Sequence, residues 1–509
     1  MNSFLTILAN ISDFSVYWSG IIDFAIIGLL VLLSNTLRRK VPFLRKYVIP
    51  TSIIAGFLGL GIKYLLANNL WQVTLGDPSK TLLSNEFMGV IAYHALAIGF
   101  IGSGLRDTSN DKKKGDKAGS TIKTGLSIVS NYLIQAVLGL IITVTMAAIL
   151  TNSDIALGAH SGVLLALGFG QGPGQAGNTG FIFDSNLINA DLLETGGDLF
   201  HSFGLTISAL GFLAACIPGI IYMNYLVRKK LIVRAKDADS VKFETGSIES
   251  PDEIPMTESV DKLTVQISFV LLTYFLAWAL MFGVDQLGGA FLPSGVWATV
   301  SSLMWGFNFI FAILMAMLVK QVIKLLRKKK IMTRKYTNDF MLSRISGTAF
   351  DVMIVAALTS IDVKIFTDIG LVATLLLLGT VGGIVTFLLV NWQAKKWFPT
   401  YRYEAFFALY GTLTGTNSTG IGLLREIDPN FETPAANNLV NGAVAAVILG
   451  GPLLVAVGFV PRGGWWIYGT IIGLFIIFVL YMLLGNFYNR RLIEKSKLEK
   501  EKSQSSAQN

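Results

Sequence analysis

The chain has 509 residues, 52% hydrophobic and only 14% charged, with a mean hydropathy of +0.59, whereas soluble domains carry about 25% charge. That balance excludes a soluble enzyme, and the long apolar runs exclude an outer-membrane barrel, whose strands alternate apolar and polar side chains. The 41 basic and 32 acidic residues leave a net charge of +9, but the basic ones cluster between apolar spans and read as topology signals, not as a polyanion site.

About 20 consecutive apolar residues cross a bilayer. The first such span is Trp18–Leu37, with no basic region ahead of it and no cleavage site, so it is expected to stay in the mature protein. Arg38, Arg39, Lys40, Arg45 and Lys46 follow it, which predicts Met1 outside and the helix end in the cytoplasm. Spans near Ile49–Leu66 and Met88–Leu105 come next. Basic residues from Arg106 to Lys123 then lead into a span near Thr124–Leu150, an unusual segment Ile155–Asn186, and a span near Leu199–Val227 ending in Arg228, Lys229, Lys230, Arg234 and Lys236. With both clusters inside, two crossings already connect them, so parity makes Ile155–Asn186 a re-entrant hairpin. Its centre, Gly168 to Gly180, is too rich in glycine for a continuous helix, and irregular backbone at membrane depth must be buried in protein or line a wet cavity. The expected form is helix, broken tip, helix.

Residues 228–262 are charged and carry Pro251 and Pro255, the pattern of a cytoplasmic linker. Spans near Leu263–Leu287, Gly295–Val319, Met341–Ile361, Leu371–Val390 and Ala435–Val460 follow, with basic clusters at Lys320 to Lys335 and at Lys395, Lys396 and Arg402. A second hairpin near 403–426, centred on Ala405 to Gly422, is expected to enter from the cytoplasm. A last span, Trp465–Leu484, returns the C-terminus to the inside. The expected fold class is therefore an all-α polytopic membrane protein of two inverted-topology repeats, 1–227 and 263–460. Each has about five transmembrane helices and one re-entrant hairpin, and 461–509 adds an extra helix and a charged tail. Pro50 matches Pro293, and the same offset carries Gly168, Gly172 and Gly177 onto Gly411, Gly415 and Gly420.

Transporters built on inverted repeats bind substrate and coupling ions where broken helices meet, because exposed N–H groups attract an anion and unwound carbonyls a cation. The first tip offers Gln171, Gly172, Gly174, Gln175 and Asn178 for a small carboxylate. The second offers neutral oxygens on Thr414, Thr416, Asn417 and Ser418, suited to Na⁺. Arg425 closes that hairpin and could meet a carboxylate, and Asn438 and Asn441 add amides on the next span. His94 and Asp351 hold matching places in the two halves; since ionisable groups in spans are costly, they are candidates either for coupling or for structural hydrogen bonds across helices or to a hairpin, with the structural role favoured in the absence of a visible relay. Asp23 and His201 sit near predicted helix ends and are expected to be wetted. His160, on the first arm of the first hairpin, could equally pack or serve the site, and the single cysteine, Cys216, reads as a packing residue.

The stretches Phe43-Leu-Arg-Lys-Tyr-Val-Ile-Pro50, Gly170-Gln-Gly-Pro-Gly-Gln-Ala176 and Gly411 to Gly422 resemble signatures of the glutamate:sodium symporter (ESS) family, over most of both halves. The resemblance implies Na⁺-coupled uptake of glutamate or a similar small carboxylate across the inner (plasma) membrane. It also implies a homodimer, elevator-like alternating access, and no cofactor beyond the coupling ion. A proton-coupled organic anion transporter and an ion channel are the alternatives. No enzyme is expected, for no His-Glu-x-x-His or nucleophile constellation falls in the spans.

Overall fold

The computed structural model describes residues 11–47, 49–69, 82–106, 118–150, 158–185, 199–234, 261–291, 293–332, 334–429 and 433–506. Most of the predicted linker, the basic residues Lys112 to Lys117, and the ends of the first predicted hairpin at 155–157 and Asn186 lie outside the described residues. In chain order the long helices are α1 (Ile11–Lys40), α2 (Thr51–Asn69), α3 (Asn85–Leu105), α4 (Ala118–Ile149), α5 (Pro173–Ser185), α6 (Leu199–Arg228), α7 (Lys262–Phe291) and α8 (Ser294–Gly306). They continue as α9 (Asn308–Lys328), α10 (Asp339–Thr359), α11 (Ile369–Trp397), α12 (Arg402–Thr414), α13 (Asn417–Arg425), α14 (Ala435–Leu449), α15 (Gly451–Phe459) and α16 (Trp465–Ser506). Between α4 and α5 run a 3₁₀ turn, Ala159–Val163, and a π-helical turn, Ala166–Gln171. Among the described residues, nine helices are long and apolar enough to cross a membrane, so this is a multi-pass membrane protein.

Polar side chains start several of these helices. Ser84 accepts from the Phe87 N–H at 3.2 Å, Asn338 from Met341 at 2.8 Å, and Asp368 from Leu371 at 2.9 Å, each satisfying an orphan donor of the first turn. Asp261 accepts from both the N–H and the hydroxyl of Thr264, bonds that hold its carboxyl below the usual range.

The chain forms two compact units. One is built from Met1–Thr108, Pro173–Thr206 and Glu244–Thr367. In it α3 and α10 pair antiparallel: Ser103 and Ser346 share a hydroxyl hydrogen bond of 2.8 Å, and the Ser346 hydroxyl also donates to the Gly99 carbonyl at 2.7 Å. At the opposite ends of the pair, Lys63 of α2 reaches both Asn85 and the Thr359 carbonyl.

The other unit is built from Ser109–Gly172, Ile207–Phe243 and Asp368–Asn509. Its centre is a second antiparallel pair, α4 with α11, joined by a buried polar ladder. Gln393 accepts from Ser127 at 2.7 Å and Asn131 at 2.9 Å and donates to Ser130 at 2.8 Å, while Gln135 donates to Thr386 at 2.8 Å. Water is absent from hydrocarbon, so such groups must find each other. Gly139 of α4 and Gly162 of the 3₁₀ turn lie so close that a Cβ on Gly139 would collide with the Gly162 carbonyl oxygen. The C-terminal helix belongs to this core: Trp397 donates to Asn486 at 3.0 Å and Asn489 to the Lys396 carbonyl at 2.8 Å, so α16 caps the end of α11.

Several expectations need correction. Only Gly172 interrupts the glycine-rich stretch; Pro173 through Ser185 is helical, because its glycines serve close packing. A Cβ on Gly180, for example, would meet the His201 backbone nitrogen at 2.5 Å. The predicted span Gly295–Val319 is two helices broken at Phe307, and Ala435–Val460 breaks at Gly450, just before Pro452, which cannot donate to the preceding turn. Asp23 and His201 are not wetted. Asp23 is buried and accepts from the Leu83 N–H at 2.9 Å. Lys123, counted with a cytoplasmic cluster, is also buried and donates to the Trp397 carbonyl.

Candidate functional site

Two helix breaks define the site, and each follows from local sequence. Gly172 has φ 92° and ψ 179°, a region essentially reserved for glycine, and Pro173 then opens α5 with a residue that needs no backbone donor. Further along, α12 stops at Thr414; Gly415 (φ −146°, ψ −106°) and Thr416 (φ −141°, ψ 169°) leave helical conformation, and α13 restarts at Asn417. The second unit brings the two breaks together. A Cβ on Gly172 would stand 3.0 Å from Thr416 Cγ2 and 3.4 Å from the Gly415 carbonyl oxygen.

A broken helix leaves carbonyls at its end and N–H groups at its start without helical partners. One of those carbonyls is taken by Gln135, whose Nε2 donates to Leu413 at 2.9 Å. Its Oε1 is buried and makes no hydrogen bond within the protein, and it lies where a Cβ on Gly170 would be 3.0 Å away. Thr412 Oγ1 is likewise buried and unbonded. The Thr414 hydroxyl turns back to the Tyr410 carbonyl at 2.7 Å, and the Thr416 and Thr419 hydroxyls stand 3.3 Å apart. Neither break supplies a side-chain cap: Gly172 has no side chain and Thr416 makes no cap bond. The uncapped starts of α5 and α13 thus present N–H groups at the positive end of a helix dipole, and the unbonded oxygens are neutral ligands of the kind a hard cation takes.

In the second unit, Gln171 and Thr416 are half-buried, Thr414 is buried, and Asn417 and Ser418 are exposed at the start of α13. Arg425 is exposed at the end of α13 and Asn441 is half-buried on α14. Asn438 donates to the Tyr401 hydroxyl at 2.6 Å. That partner sits at the start of α12, about 20 Å of helix rise from Thr414, so Asn438 does not join the tip.

The first unit holds the rest of the predicted first tip on α5. Gly174 lies against Leu96 and Met353, and the Asn178 amide is 3.4 Å from the Gly306 carbonyl. Gln175 Oε1 and Thr179 Oγ1 are buried without hydrogen bonds. The end of α5 is tied to α6 by Asp184, whose two carboxylate oxygens accept from the Phe200 and His201 N–H groups at 2.8 and 2.9 Å. The His201 ring stacks on Phe181 at 3.7 Å and pairs through its two nitrogens with the Gly177 carbonyl and the Ser360 hydroxyl, both at 3.0 Å. His201→Phe keeps the stack and loses both bonds. A drop in thermal stability of about 1–2 kcal/mol is expected, and an unchanged melting temperature in detergent would refute this bracing role. His94 pairs with the Tyr274 hydroxyl at 2.6 Å, and both His94 and Asp351 have exposed side chains.

Gln135 escaped the sequence reading. Its signal was present: an amide inside the apolar run 133–142 needs a partner. No protein-family model matches the chain, and no curated protein matches it with significance.

Proposed function

We propose that this protein is a secondary active transporter that carries glutamate or a similar small carboxylate together with Na⁺, by alternating access, as the resemblance to the glutamate:sodium symporters implies. The observation that carries this reading is the meeting of the two helix breaks, at Gly172 and at Gly415–Thr416, within one unit. Broken helices from two halves are how inverted-repeat transporters hold an anion and a cation without burying fixed charge.

Other features support an inverted repeat. Each unit draws on both halves of the sequence. The helices that correspond by order, α3 with α10 and α4 with α11, pair antiparallel, as an axis in the membrane plane requires. The offset from Pro50 to Pro293 carries Gly172 onto Gly415, the two residues at which the helices break. In this reading both breaks are tips of re-entrant hairpins, the carboxylate meets the N–H groups after Gly172, and Na⁺ takes oxygens of Thr414, Thr416, Asn417 and Ser418. A dimer with elevator-like movement belongs to the same reading.

The deciding experiment is counterflow of labelled glutamate in proteoliposomes with and without Na⁺. Accumulation that requires Na⁺ is expected; glutamate-independent ionic current would instead identify a channel. Asn417→Ala should raise the Na⁺ concentration for half-maximal uptake about tenfold, the worth of one charge-assisted contact. Because Asn417 is exposed, protein yield should not change, and an unaltered Na⁺ dependence would remove Asn417 from the ion site.

A further inference from the structure

Two helix ends that carry basic clusters share a construction that topology alone does not require. α9 ends in Leu326-Arg-Lys-Lys-Lys330-Ile331 and α6 in Leu226-Val-Arg-Lys-Lys230-Leu231. In both, the last lysine stands in the left-handed region at φ 56°. The Lys330 N–H bonds to the Arg327 carbonyl and the Ile331 N–H to the Leu326 carbonyl, each at 3.0 Å; the Lys230 and Leu231 N–H groups bond likewise to Val227 and Leu226 at 2.9 and 3.0 Å. This paired closure normally uses glycine, which takes left-handed backbone without a Cβ clash. A lysine there is the less stable choice, yet it appears twice.

The residue after that lysine normally tucks against the last helical turn. Here Ile331 is 67% exposed and Leu231 53%. On α9 an exposed apolar stripe continues through Leu325, Val322 and Leu318, the side that a membrane helix shows to acyl chains. The cations at its end then stand at headgroup level. Lys328, Lys329 and Lys330 are exposed, and among the described residues none has an acidic partner. Arg327, Lys328, Lys330 and Met332 line an open recess of about 520 Å³. The α6 end is less cationic: Glu404 lines the recess beside Lys230, and Arg234 is held by Glu426 at 2.6 Å.

We propose that the C-terminal end of α9 binds the phosphate headgroup of an anionic phospholipid, with Arg327, Lys328 and Lys330 around the phosphate and Ile331 and Leu325 against its chains. The αL lysine turns the chain back so that its charge joins those of the last helical turn. This assignment does not depend on which solute the protein carries.

The full-length protein, purified in detergent, is titrated with phosphatidylglycerol, phosphatidylcholine or inorganic phosphate while its melting temperature is followed. Only phosphatidylglycerol should stabilise it. Each cation removed should raise the phosphatidylglycerol concentration for half-maximal stabilisation roughly fivefold, the worth of one basic side chain at an anionic surface. Lys330→Gly is the informative variant, because it removes the charge while improving the turn. Its melting temperature without lipid should hold or rise while its lipid midpoint shifts. A bare helix-capping role predicts no midpoint shift, and that result would overturn the proposal. So would equal stabilisation by phosphatidylcholine, or stabilisation by inorganic phosphate alone, which would mark a free-anion site. Lys230→Gly should shift the midpoint less than Lys330→Gly, given Glu404; the reverse order would overturn the placement on α9.

Discussion

If the protein transports as proposed, replacing Gly172 with alanine should reduce uptake roughly five- to 150-fold, because the backbone conformation alone disfavours a Cβ by about 1–3 kcal/mol. The strain has a second component: the new methyl carbon would stand 3.0 Å from Thr416 Cγ2, tight enough that the second break must shift. Both consequences fall on the place where the two broken helices meet. Normalised uptake in proteoliposomes separates them from misfolding, since Gly172→Ala protein that elutes as a monodisperse peak should still show this loss. Wild-type uptake from such protein would show that the Gly172 conformation is incidental.

Gln135→Leu should cost the second unit about 1–2 kcal/mol for each hydrogen bond lost within the membrane. It strands the Thr386 hydroxyl and the Leu413 carbonyl that Gln135 Nε2 now satisfies, and Leu413 is one of the carbonyls freed by the break at Gly415. A melting temperature lowered by several degrees is therefore expected, together with weaker uptake. Gln135→Glu separates the two roles of this side chain. It loses the same donors, so it should be destabilised as well, but it keeps an oxygen beside Gly170. If the unbonded Oε1 serves the coupling ion, the Glu variant should retain Na⁺-dependent uptake at low temperature where the Leu variant does not. Equal Na⁺ dependence in the two would confine Gln135 to bracing.

Hydropathy and punctuation made much of the helical layout readable. The spans at α3, α6, α7 and α10 lie within a few residues of their predicted bounds, while α4 starts earlier than Thr124 and α11 runs on past Val390 to Trp397; an apolar run near bilayer length has few alternatives in hydrocarbon. The breaks at Gly172 and Gly415 fall inside the predicted tips, since glycine followed by proline, or by Thr416-Asn-Ser-Thr419, has little to hold a helix together. Local sequence determined these features because the backbone must satisfy its own hydrogen bonds one segment at a time.

What local sequence could not fix is which side chain meets which. Glycines at 174, 177 and 180 read as part of a broken tip and instead sit in a helix, where they permit close contact with Leu96, Met353 and His201; glycine content reads the same whether the backbone bends or a neighbour presses in. His201, Asp23 and Lys123 sit near helix ends in sequence, where water is the default partner, yet are buried against Gly177, Leu83 and Trp397. Gln135 carried a signal in sequence, as an amide in an apolar run, but its partners, Thr386 on α11 and the Leu413 carbonyl on α12, come from elements far along the chain. The pairing of α3 with α10, of α4 with α11 and of Gly172 with Thr416 joins residues far apart in the chain, and only tertiary packing brings such groups within hydrogen-bond or van der Waals range.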